Sequence, residues 1–182
     1  MIEIRPYPHI SAEELNQLTG PFTCGETFRV HYHDSETGCG FALQRVPLET
    51  PYIHQYTHID EEWVRTTLAP ADFSFGAFDG ERLVGVIIAE KRTWNDSLWV
   101  WEFHVAADRR GQGIGRMLME HTAEQAEAAG LRVIVCETQN RNANAILAYH
   151  QLGFRPEGID ISYYTIEDFP EGDVAVFMKR RL

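Results

Sequence analysis

The sequence predicts an α+β layered domain, with helices on a mostly antiparallel sheet, and three observations carry that reading. Three strand-like runs, "DFSFGAF", "RLVGVIIAEKR" and "SLWVWEFHVAA", follow one another across the hairpin signals Asp79-Gly80 and Asn95-Asp96. A long amphipathic segment opens at the glycines of "RRGQGIGR" and runs to Gly130, a residue suited to ending a helix. Beyond it lies "LRVIVCET", almost continuously apolar, as a central strand covered on both faces should be.

The remaining elements fall into place around these. "MIEIRPY" alternates like a strand, and Ser11 can cap a short helix over "SAEELNQL" that Gly20-Pro21 stops. "TFRVHY" and "GFALQRV" read as strands around the turn-rich "HDSETGCG". Asp60 can cap a helix over "EEWVRTTL", closed by Pro70. After the apolar strand, "NANAILAYHQL" is a second helix with Asn142 as its cap and Gly153 as its stop, and "ISYYTI" and "VAVFMKR" read as closing strands. A length of 182 residues fits one domain over residues 1–182.

Composition narrows the function. Hydrophobic residues make up 44% and charged residues 24%, which is ordinary globular usage. A net charge of -11 argues against a general nucleic-acid binder, which needs clustered Lys and Arg. It suits a cationic substrate or partner, and it equally suits a surface charged for solubility. Cys24, Cys39 and Cys136 are an odd set without metal-ligand spacing, and reduced thiols in a cytoplasm are the simplest reading. Cys136, inside "VIVCE", reads as a small core residue. "MIEIRPYPHI" lacks a signal-peptide apolar region, and no run approaches the ~18 apolar residues of a membrane span. His31, His33, His54 and His58 show no convincing metal spacing, so no metal site is expected.

The glycine cluster carries the chemistry. A helix start presents backbone N–H groups and a dipole that favours an anion, and glycines let that backbone approach a ligand closely. Arg110 and Arg116 can add charge-assisted contacts to phosphate, so Arg110, Gly111, Gln112, Gly113, Ile114, Gly115 and Arg116 read as a pyrophosphate cradle. A glycine-rich tight turn is the plainer alternative. No Gly-Lys-Ser/Thr follows, which excludes a Walker loop, and neither the glycine spacing nor the hairpin-like flanking strands suit a dinucleotide fold.

Arg110-x-x-Gly113-x-Gly115, after a strand ending at Val105, resembles the acetyl-CoA signature of the GNAT N-acetyltransferase superfamily. A second region, Asn142-x-x-Ala145-x-x-x-Tyr149-x-x-x-Gly153-Phe154, is similar to the superfamily as well. Within it, "ETQNRNANAILAYHQLGF", "ISYYTIEDF" and "KRTWNDSLWVWEFHVA" resemble the streptothricin acetyltransferases. The resemblance spans roughly residues 72–182, which it implies are the acetyl-CoA-binding core, with 1–71 as the acceptor-side N-terminal part. It implies the GNAT acyl-CoA N-acyltransferase fold, in which two adjacent parallel strands splay apart and the pantetheine arm lies between them. It also implies acetyl-CoA as cosubstrate, an amine as acceptor and a possible homodimer.

Acetyl transfer to an amine needs a neutral nucleophile, a donor for the developing oxyanion, a proton for the leaving thiolate and alignment of the reactants. The resemblance implies that Phe103, His104 and Val105 bind the pantetheine through their main chain, that the Val105 N–H serves the oxyanion, and that the Asn142 amide bonds the CoA arm. It further implies Tyr149 as the acid beside the sulfur, a role a phenol can fill. Glu102 and Glu137 are both candidates for the base, and either is equally readable as a solvated strand-edge carboxylate. His104, a single histidine on a strand, reads more simply as packed or solvated. Trp94, Trp99, Trp101, Tyr163 and Tyr164 read as strand side chains in a core or dimer face. Tyr163 or Tyr164 along an acceptor groove is the alternative, with Asp60, Glu61 and Glu62 at its rim or simply complementing a helix dipole. The expected activity is acetylation of a primary amine on a cationic small molecule, with streptothricin implied by the resemblance. A peptide or protein acetyltransferase and a non-catalytic CoA-binding module are the alternatives.

Overall fold

In a computed structural model describing residues 1–68, 71–167 and 169–182, turn chemistry and apolar periodicity set most of the elements. They are β1 (Ile2–Pro6), α1 (Ala12–Leu18), β2 (Phe22–Ser35), β3 (Gly38–His54), α2 (Glu61–Trp63) running on as a wider π turn (Val64–Leu68), β4 (Phe75–Asp79), β5 (Arg82–Arg92) and β6 (Ser97–Val105). After a 3-10 turn at Ala107–Arg109 come α3 (Ile114–Ala128), β7 (Val133–Gln139), α4 (Ala143–Gln151), β8 (Arg155–Asp160) and β9 (Ala175–Arg181). Two units emerge: Met1–Pro21 with Gln55–Cys136 and Arg181–Leu182, and Phe22–His54 with Glu137–Arg180. Among the described residues, no helix is long and apolar enough to cross a membrane.

In the first unit the strand order is β1-β4-β5-β6-β7. All neighbours are antiparallel except β6 and β7, which run parallel from Ser97↔Val133 to Val100↔Cys136. The β6–β7 pairs run as far as Val100↔Cys136, and β6 continues beyond them to Val105. The two hairpins turn on residues of positive φ, Gly80 at 62° and Asp96 at 52°. Those are the two positions where the sequence signals a tight turn.

The sheet of this unit carries a helix on each face, because β5 alternates its side chains. Val86 and Ile88 join Leu15 and Leu18 of α1, with Val64, Leu68 and Ala106, in one apolar cluster. Gly85 faces the other way. A Cβ there would meet Leu118 Cδ1 at 3.0 Å and Ile114 Cγ2 at 3.4 Å, so the missing side chain lets α3 lie close on the sheet. Ser11 caps α1 in a reciprocal capping box with Glu14, and Asp60 Oδ1 accepts from the Trp63 N–H at 2.7 Å to start α2. The expected closure of that helix at Pro70 lies outside the described residues.

The second unit holds the β2–β3 hairpin and, from Glu137 onward, the strand order β7-β9-β8 with α4. Asn140 stitches this unit together. Its main chain exchanges hydrogen bonds with Phe28 and Val174 at 2.9–3.0 Å, while its side chain donates to Phe28 O at 2.9 Å and accepts from Val174 N at 2.8 Å.

Two expectations fail here. "HDSETGCG" is not a long turn: β2 and β3 pair through it from Phe22↔His54 to Ser35↔Gly38, leaving only Glu36 and Thr37 to reverse the chain. Most of this ladder is exposed, so burial imposes no alternation for the sequence to display. "ISYYTI" is not a strand either. It forms turns and bends, and the strand that pairs with β9 is the preceding "RPEGID", held by Arg155↔Lys179 through Asp160↔Ala175.

Candidate active site

In the first unit the site is built on the end of β6 and the loop that follows. The Ala106 N–H donates to Val84 O at 2.9 Å, which makes Ala106 a hydrogen-bonded position of the β5–β6 ladder. Val105, opposite Gly85, is therefore a non-hydrogen-bonded position, and its N–H and C=O point to the far edge of β6. Phe103, opposite Ile87, has the same orientation. His104, between them, turns its main chain toward β5. The Val105 carbonyl accepts from Arg110 Nε at 3.1 Å, while its N–H faces the edge that the β6–β7 ladder has left.

The loop itself depends on glycine for its path. Gly111 has φ 74° and Gly113 has φ 83°, values that L side chains resist. A Cβ at either would meet nothing within 4 Å, so the requirement is conformational and the space beside the loop is open. Gly113 is the N-cap of α3 and offers no side-chain cap. The first helical bond runs from Met117 N–H to Gly113 O at 3.0 Å, so the amides of Ile114 and Gly115 have no helical carbonyl behind them. Gly115 sits over β6: a Cβ there would lie 3.4 Å from Phe103 Cζ and 3.6 Å from Val105 Cγ2.

Side chains brace this loop from behind. Arg82 makes a bidentate pair with Asp108 at 2.8 and 2.9 Å, and Arg109 reaches Asp79 at 2.8 Å. Gln112 Nε2 donates to Asp108 O at 3.1 Å. Of the arginines around the glycines, Arg109 is thus spent on structure, and Arg110 is tied to the strand end.

On the opposite face of β6, Glu102 and His104 alternate with Phe103. His104 Nε2–H donates to Glu102 Oε2, and the two side chains are 10% and 16% exposed for His104 and Glu102 respectively. The ring of Tyr56 stands edge-on to His104 at 5.7 Å. The Tyr56 hydroxyl is held above its ordinary value, chiefly by desolvation and then by the Glu102 carboxylate, against the pull of Arg110. Sequence reasoning names Glu102 and His104 singly but neither pairs them nor finds Tyr56. The one legible signal of the cluster was the i, i+2 spacing of Glu102 and His104, which puts two side chains on one face of a strand.

The second unit carries the other candidates. Glu137 accepts from the Tyr164 hydroxyl and is raised above its ordinary value, mostly by burial and further by Asp173, with the tyrosine bond working against both. Tyr164 is pushed up in turn by burial and by Glu137. Tyr163 lies between Tyr164 and Phe177, at ring distances of 5.3 and 5.5 Å. Asn142 caps α4 by accepting from the Ala145 N–H at 3.1 Å through Oδ1, which leaves its amide nitrogen for another partner. Tyr149, on the same helix, packs its ring at 5.4 Å from Phe154. The structure thus brings Phe103, Val105 and the residues 110–116 together in one unit. Asn142 and Tyr149 share a helix in the other.

Comparison with known proteins decides the family. Residues 39–154 match the Acetyltransferase (GNAT) family. The chain belongs to the GNAT acetyltransferases. It is 33% identical to streptothricin acetyltransferase of Streptomyces lavendulae over 172 residues, which cover 92% of this chain and 88% of that enzyme. Over 73 residues it is 34% identical to the ribosomal protein bS18-alanine N-acetyltransferase of Escherichia coli, covering 40% of this chain and 49% of that one. The crystal structure of nourseothricin acetyltransferase superposes with a TM-score of 0.80 at 30% identity, over 99% of this chain and 98% of that chain. This GNAT protein is accordingly an N-acetyltransferase with the splayed, mixed sheet of its family.

Proposed function

We propose that this enzyme transfers the acetyl group of acetyl-CoA to a primary amine of a cationic, streptothricin-type small molecule. The observation that carries the acceptor class is the 33% identity to streptothricin acetyltransferase over 92% of the chain, supported by the superposition on nourseothricin acetyltransferase. The observation that favours the cosubstrate is the left-handed glycine loop at the uncapped start of α3, beside the outward-facing main chain of Val105. Acetyl-CoA, when bound, supplies an acetyl group activated as a thioester.

The residues divide the work as follows. The amides of Gly111, Gln112, Gly113, Ile114 and Gly115, with Arg110 and Arg116, receive phosphate charge. The edge of β6 at Phe103 and Val105 offers main-chain partners to an extended arm, and the Val105 N–H stabilises charge developing on an acyl oxygen. The free amide nitrogen of Asn142 holds the arm from α4. Tyr149 donates a proton toward the leaving sulfur. Glu102 is the base this reading favours, because it shares a strand with Val105 and has a fixed hydrogen-bond partner. Glu137 is the alternative base. A cytoplasmic setting accords with the free cysteines Cys24, Cys39 and Cys136.

A thiol-release assay with acetyl-CoA against streptothricin, polyamines and lysine-bearing peptides tests the proposal. Streptothricin is expected to give the highest kcat/KM. If only peptides react, the acceptor class is wrong and the cosubstrate stands; if no amine releases thiol, both fall.

A further inference from the structure

Glu102 and His104 form a nearly dry pair whose cost needs explaining. A carboxylate and an imidazole, 16% and 10% exposed, lose most of their water and are tolerated only if each satisfies the other. The imidazole Nε2–H occupies one carboxylate oxygen, Oε2. Geometry explains why this pair forms: residues two apart on a strand share a face, and here it is the face away from Phe103, Val105 and Gly115. Tyr56 closes over the imidazole edge, and Arg110, within electrostatic reach of Tyr56, is tethered to Val105 O.

We propose that His104 is a positioning residue for Glu102: its Nε2–H fixes the carboxylate so that the second oxygen, Oε1, is presented to the incoming amine. This rests on the reading of Glu102 as the base. The amine N–H proton passes to Oε1 as the amine nitrogen forms its bond to the acyl carbon, and the thiolate leaves with a proton from the acid. His104 neither gains nor loses a proton in that step. It supplies a fixed donor, and Tyr56 limits the rotation of its ring.

The test compares His104→Met with His104→Gln, side chains of similar length that differ in carrying an N–H. Each is assayed with acetyl-CoA and whichever amine reacts best in the panel above, beside Glu102→Gln. His104→Met is expected to lower kcat about 10- to 100-fold, the scale of a lost hydrogen bond to a charged group. The KM for acetyl-CoA should stay constant, and His104→Gln should recover most of the loss. Should His104→Met fail to fold, His104→Ala assayed with and without added imidazole replaces it, with rescue by imidazole expected. Equal turnover in His104→Met and wild type, with Glu102→Gln inactive, overturns the role of His104 and leaves Glu102 as base. Equal impairment of the Met and Gln variants also overturns it. Full turnover in Glu102→Gln removes the base assignment and this inference together.

Discussion

The Tyr164 hydroxyl donates to the Glu137 carboxylate across 27 residues of sequence; the carboxylate raises the proton affinity of the phenol, whereas the tyrosine's hydrogen bond lowers that of Glu137 against the larger upward effect of burial. Glu137 has a net upward shift, led by burial, so the folded state holds its proton to higher pH than the unfolded chain does. Between the ordinary value of 4.5 and the raised one, the folded state binds more proton, and stability falls as pH rises through that window. Glu137→Gln removes the dependence while keeping an acceptor for Tyr164. The variant should melt about 2 °C or more above wild type at neutral pH, with the gap closing below pH ~4. Calorimetry across pH checks this; an unchanged melting point at pH 7 would refute it.

Asn140 is 6% exposed and serves Phe28 and Val174 with both ends of its amide. Asn140→Ala leaves a half-buried carbonyl and a buried N–H unmet, at a cost of about 2 kcal/mol or more. That corresponds to a fall of about 4–8 °C in a domain of this length. Asn140→Asp keeps the acceptor for Val174 and loses the donor to Phe28, so it should fall in between. Thermal melts of the three proteins decide the order.

Two glycines in the same loop should respond oppositely. Gly113→Ala forces a side chain into φ 83° and should cost about 1–2 kcal/mol, although nothing occupies the space. Gly115→Ala meets Phe103 and Val105 at ordinary contact distance inside a helix, and should be neutral or stabilise by up to about 1 kcal/mol. Acetyl-CoA affinity, read by calorimetric titration, should weaken in Gly113→Ala. A stable, tightly binding Gly113→Ala would show that the backbone path is not fixed by that angle.

Tyr149→Phe keeps the ring against Phe154 and removes only the hydroxyl. On the proposed acid role, kcat should fall about 100-fold with the KM for acetyl-CoA unchanged. A rise in that KM at constant kcat would make Tyr149 a binding residue instead.

The parts of the fold that could be read in the sequence are those where local chemistry and tertiary need agree. Strand β5 is found residue for residue because turns of positive φ at Gly80 and Asp96 bracket its hairpins. The caps Ser11, Asp60 and Asn142 all act as their residue types suggest. What hid was set from a distance. "RPEGID", with Pro156 and Gly158, has no strand composition and becomes one only by pairing with β9. The aromatic "ISYYTI" has that composition, but its Tyr164 is turned to Glu137. At the candidate site, the glycine loop announced itself because its path needs backbone angles that glycine adopts readily. Tyr56 did not, since nothing local ties it to a histidine 48 positions on.

The long β2–β3 arm leaves and rejoins the chain at one place, where Phe22 pairs with His54 and their rings stack at 4.9 Å. Such a closed joint makes residues 22–54 a natural cassette. Exchanging it between relatives would cut the chain at two neighbouring points and leave the glycine loop and β6 uninterrupted, with the Phe28 main chain that Asn140 holds as the contact the incoming hairpin must keep.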